Sequence, residues 1–129
     1  SVQLKQVTDG ASHTAMVGEK CRNPDNYLNG LDSSDDQSVF VGHDRDMNGY
    51  TYYQSKGSKS IGYIDNVNWD ASPQQDRPGV SWKYTFGSAH SSGFFMAFCD
   101  GSIQSIAYGI ERKVFALMGG RADEEISPE

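Results

Sequence analysis

The sequence predicts an α+β fold: a largely antiparallel sheet with a central hairpin from Phe94 to Tyr108, a C-terminal helix from Ile110 to Met118, and many loops. Three observations predict it. Two apolar runs, Phe94 to Cys99 and Ser102 to Tyr108, are joined by Asp100-Gly101, a pair suited to the positive-φ positions of a two-residue type I′ turn. Ile110, Val114, Leu117 and Met118 recur at helical spacing, and Gly119-Gly120 supplies a stop. Fourteen Gly, with many Asn, Asp and Ser, break the remainder into short pieces, as expected of strands and loops rather than a helical bundle.

Taken in order, Ser1 to Val7 alternates apolar and polar residues from Val2 and reads as a strand, without the basic and then apolar start of a signal segment. The chain therefore reads as a piece excised from a longer one. A short helix is expected to start near Asp35 or Asp36, run through Val39 and Phe40, and stop at Gly42. In the hairpin, a two-residue turn pairs Cys99 with Ser102, Phe98 with Ile103 and Met96 with Ser105. One face then carries Phe94, Met96, Phe98, Ile103 and Ala107, the other Phe95, Ala97, Cys99 and Ile106. Both faces are apolar, so cover is expected on each side, with the C-terminal helix supplying one. The last six residues are acidic with little to bury and read as a frayed tail.

The length of 129 residues suits one domain, and 36% hydrophobic residues with two Trp, seven Tyr and six Phe suffice for a modest core. A net charge of -6, from 11 basic and 17 acidic residues, argues against a nucleic-acid partner, whose phosphates require clustered Lys and Arg. The longest apolar run, Phe94 to Cys99, is far shorter than the roughly 20 residues of a membrane span.

His90 is followed by nine residues and then Asp100-Gly101. With this motif, the chain resembles the C-terminal head of the large planctomycete-type family of prepilin-like proteins. Val7 to Lys20 is similar to the family's I-T-D-G-T-S-N-T segment running into V-G-E-K, with His13 where Asn is common. Asn23 to Tyr27, Gly42 to Asp46 and Arg121 to Asp123 are similar to further family segments, and Cys21 stands where an aromatic residue is common. The stretch from Met47 to Lys83 matches least. The resemblance implies a pilin- or pseudopilin-like, extracytoplasmic head at the cell surface or in the periplasm. Its partners would be other pilin-like subunits or surface proteins, and its only membrane contact an upstream leader and apolar helix outside these residues.

The chemistry-bearing residues each have a second, plainer reading. His90 and Asp100 could form an acid and base pair, but they flank a strand at opposite ends, roughly 30 Å apart, so a structural role for His90, Asp100 and Gly101 is favoured. Asp44-x-Asp46-x-Asn48-Gly49 has the oxygen spacing of a calcium loop, with Asp32, Asp35 and Asp36 available to complete it. A surface turn uses the same residues, and Ser55 occupies the place of the EF-hand's bidentate Glu. Cys21 and Cys99 could bridge in an oxidising compartment, yet two buried free thiols are favoured. Tyr50, Tyr52, Tyr53, Trp69 and Trp82 could stack on a glycan, although core packing is favoured for them. No serine lies in a nucleophile elbow, and Gly10 and Gly18 form no phosphate loop.

A structural or interaction head therefore ranks first, a binding module for calcium or a small extracellular ligand second, and an enzyme third. The loops from Asp32 to Asn48 and from Asp65 to Pro78 are expected to face solvent and partners.

Overall fold

The structure, a computed structural model, describes residues 3–7, 10–38, 40–41, 47–51, 72–82 and 84–119. Its main sheet has the order β1-β4-β5, from Ala15–Gly18 (β1), Phe94–Phe98 (β4) and Ile103–Ile106 (β5), and both pairings are antiparallel. Two short strands, Gln74–Gln75 (β2) and Gly87–Ser88 (β3), pair in parallel. One helix, Arg112–Met118 (α1), follows the sheet. The mixed α+β class, the antiparallel sheet, the C-terminal helix and the loops are as the sequence predicts.

The core follows from the alternation in β4. Phe94, Met96 and Phe98 point inward and are buried, and Ile106 and Phe115 close over them. The Phe115 ring meets Phe94 and Phe86 edge-on, each with centroids 6.1 Å apart, an arrangement favoured by the aromatic quadrupole. Ile110 and Met118 pack beside this cluster as partly buried neighbours. The helix begins at Arg112, after the capping position Glu111, two residues later than the sequence predicts. Ile110 lies before it, where its N–H donates to Ala107 O in a turn.

The hairpin forms in the predicted segment but in a different register. Phe94 pairs with Ile106, Phe95 with Ser105, Met96 with Gln104 and Ala97 with Ile103. Phe98 N–H donates to Ser102 O, and Gly101 N–H closes a turn onto Phe98 O. The loop is therefore Cys99-Asp100-Gly101, three residues long, with Gly101 at φ +84° in the left-handed position of a bulged hairpin. One residue of slip changes which side chains share a face. Ile106 joins the core opposite Phe94, whereas Ile103 lies on the outer face beside Ala97 and is 71% exposed. That face also carries exposed Val17 and Phe95, so the described residues do not give the second cover that the sequence predicts.

Two other expectations are corrected. The N-terminal segment forms a 3-10 turn at Leu4–Gln6 rather than a strand, because the Gln6 side chain accepts from Gln3 N–H and ties the turn locally. Residues 31–38 and 40–41 form turns and bends instead of a helix. The Asp32 carboxylate accepts from the Ser34 N–H and hydroxyl, a local alternative to helical bonding.

β3 is held from both sides. Gly87 N–H donates to Glu19 O, and Gln74 N–H donates to Phe86 O. Gly87 has no substitute here, since a Cβ would lie 1.8 Å from Gln74 O.

Candidate functional site

The segment from Gly87 to Gly93 is a tied loop. Ser88 Oγ accepts from His90 N–H (3.1 Å) and donates to Gly93 O (2.9 Å). Tyr108, two residues beyond β5, brings its hydroxyl to His90 O at 2.6 Å, with Ser88 O and Gly93 O at 3.1 and 3.2 Å. His90 thus acts through its backbone, with its residue exposed.

Asp100 and Gly101 lie at the far end of β4. Asp100 Oδ1 accepts from the Ser102 hydroxyl (2.6 Å) and N–H (2.9 Å). Those bonds, with a smaller effect from nearby His13, hold its carboxyl below the usual aspartate value. Asp100 N–H donates to Ala11 O and Cys99 N–H to Thr14 O, so the turn is fastened to the N-terminal segment. The strand separates His90 from Asp100 and does not bring them together.

The densest polar arrangement involves residues the motif omits. Asp32 is wholly buried, yet its carboxylate accepts from Asn23 N–H (2.7 Å), Ser34 N–H (3.0 Å) and Ser34 Oγ (2.8 Å). Burial alone would raise its pKa, but these bonds, with one from the Ser81 side chain, outweigh burial and lower it. Next to it, Asp76 accepts from Arg22 N–H (2.9 Å) and from the Tyr27 hydroxyl. Arg22 pairs with Asp35 and lies over the Tyr27 ring. Gly79 N–H donates to Asp25 Oδ2 (2.8 Å) and lies 3.2 Å from Asn23 Oδ1. Asn23 to Tyr27 is therefore a clamp that fastens residues 76–79 to the body of the domain.

This clamp revises the reading of both loops. Asp32, Ser34 and Pro73 are buried and Asp76 is committed to the clamp, so these positions are structural rather than partner-facing. Asp32 and Asp35 are likewise engaged, by backbone donors and by Arg22. Asp44 and Asp46 lie outside the described residues, as do Tyr52, Tyr53 and Trp69. Among the described residues, no group of three or more His, Cys, Asp or Glu is arranged to hold a metal ion. Tyr50 meets Tyr84 edge-on with centroids 4.9 Å apart, and both are half-buried, as is Trp82.

Cys21 and Cys99 are free thiols. Cys99 bonds to Thr14, seven residues of largely extended chain before Cys21, a separation of about 20 Å that no disulfide spans. Burial, reinforced by Asp76 and Asp32, pushes the Cys21 thiol up to about 12, so it stays protonated near neutrality and is a poor nucleophile.

Sequence reasoning missed Asp76, Gly79 and Tyr108. Their partners are distant in sequence, and no spacing rule points to them. Pro78-Gly79 was readable as a turn, but not as a turn held by Asp25.

Among the described residues, no helix is long and apolar enough to cross a membrane. A family model described as a protein of unknown function (DUF1559) matches residues 1–113. No curated protein and no solved structure matches the chain.

Proposed function

From the premise that the chain belongs to the DUF1559 family, we propose that it is a non-enzymatic interaction head of a prepilin-like or pseudopilin-like protein, working outside the cytoplasm against like subunits or other surface proteins. One observation carries this reading: large apolar side chains stand in solvent on a loop whose base is clamped. Leu28 is fully exposed, and Leu31 and Phe40 are 72% and 92% exposed. Asn23, Asp25 and Asp32 fasten the backbone around the first two. Apolar groups held out by a fixed backbone, rather than by a frayed one, mark a contact surface. The His90 to Gly101 motif supports the same reading from another side, since its bonds shape and fasten loops at the two ends of one strand.

The test is the double variant Leu28→Asp with Phe40→Asp, in the full-length protein in its native cell. Substitutions at exposed sites should shift stability by no more than about 0.5 kcal/mol. Thermal unfolding should be nearly unchanged, whereas cross-linking of the protein to its neighbours at the cell surface should fall. Undiminished cross-linking would remove this surface as the contact site. A hydrolytic turnover lost in His90→Ala would overturn the non-enzymatic reading.

A further inference from the structure

The outer edge of β5 offers unpaired backbone groups that can be assigned residue by residue. Phe98 N–H donates to Ser102 O, and bonded pairs alternate along an antiparallel ladder, so Met96 with Gln104 and Phe94 with Ile106 are the bonded pairs toward β4. Phe95 agrees with this phase, because its carbonyl accepts from Glu19 N–H on the β1 side. Ile103 and Ser105 must then direct their N–H and C=O groups away from β4. Among the described residues no strand lies beyond β5, and Ile103, Gln104 and Ser105 are all exposed.

Natural sheets protect such edges with charged residues, proline or a bulge. Within β5, from Ile103 to Ile106, this edge has none of them; the hairpin's bulge lies before it, at Gly101. From Ser102 to Ile110 there is no charged residue and no Pro, in a chain with 11 basic and 17 acidic residues, and the β4–β5 register runs without a shift. The opposite edge differs: β1 carries a register shift, and Glu19 and Lys20 follow it directly, with Lys20 bridged to Phe86.

We propose that the β5 edge docks a second copy of this chain, β5 against β5 and antiparallel, around a two-fold axis at Gln104. That register places Ile103 opposite the partner copy's Ser105 and Ser105 opposite its Ile103, so every outward N–H and C=O of the two residues is paired. Two three-stranded sheets become one of six strands. A net charge of -6 would oppose contact between copies over most of the surface, and an uncharged strand minimises that repulsion where identical edges meet. A two-fold axis also makes the same patch self-complementary. This names the partner in the interaction reading above and rests on that reading.

The test is cross-linking of Gln104→Cys in a Cys99→Ser background, under mild oxidation of the purified chain. In the proposed register, the two 104 positions form a non-bonded pair about 4.5 Å apart at Cα, within disulfide reach. Covalent dimer should form about tenfold faster than with Ser91→Cys, an exposed position on the His90 loop, because the paired thiols react as if within one molecule. Adding Ser105→Pro removes an outward N–H without touching the β4 ladder and should abolish the difference while circular dichroism is retained. Should that variant not fold, Ile103→Lys, which places a charge on the edge, serves the same purpose. The proposal is overturned if Gln104→Cys reacts no faster than Ser91→Cys, if the edge variants react as fast as their parent, or if only irregular aggregates form. Those failures leave the cell-surface result for Leu28 and Phe40 standing, so the two readings fail separately.

Discussion

Asp32 lies in the run Asp32-Ser33-Ser34-Asp35-Asp36, which by composition reads as a solvated acidic loop or a helix start. Its carboxylate is instead buried among donors from Asn23 and Ser34. Asp32→Asn keeps the shape but turns an NH2 group toward those donors, and should cost about 1–3 kcal/mol. The pH dependence has a definite sign. With the folded carboxyl below its ordinary 3.8, the stabilisation is present above 3.8 and is lost as pH falls through the folded value. Melting temperatures between pH 7 and pH 2 should show the Asn variant less stable at neutrality and flatter below about 3.8. Parallel curves for the two proteins would contradict this account.

Gly101 sets the shape of the hairpin. Its φ of +84° resists a β-branched side chain, so Gly101→Val should destabilise the domain by about 1 kcal/mol or more, read as a lower denaturation midpoint at unchanged slope. Unchanged stability would exclude the left-handed turn. The element shows how far the sequence could be read. Apolar alternation and Asp-Gly locate the strands and the glycine, but Asp-Gly suits either a two-residue or a three-residue loop. Bonds from Cys99 and Asp100 to Thr14 and Ala11 fasten the longer one, and contacts that far apart in sequence leave no local pattern. The same limit hid the clamp, where Asp76 and Gly79 find their partners at Tyr27 and Asp25. The helix is legible because its period is local, yet that period points to Val114, whereas the buried anchor is neighbouring Phe115. Tertiary edge-on contacts with Phe86 and Phe94 decide between them.

Across the whole molecule, the pairing of β1 with β4 joins residues roughly 80 positions apart, while β4, β5 and α1 lie within one continuous stretch. That contrast has a kinetic meaning. Closing a long loop costs chain entropy before any contact is gained, so local structure leads and distant pairing follows. The stretch from Phe94 to Met118 should be largely assembled at the folding barrier, with β1 docking on the downhill side. Ile106→Val, expected to cost about 0.5–1.5 kcal/mol, should then slow refolding, whereas Ala15→Gly should leave refolding nearly unchanged and hasten unfolding. Stopped-flow rates across a denaturant series would show the reverse pattern if β1 docked first. A chain that docks β1 last also frays there first: its earliest losses would be the Thr14 and Ala11 bonds to Cys99 and Asp100, with β5 still paired to β4.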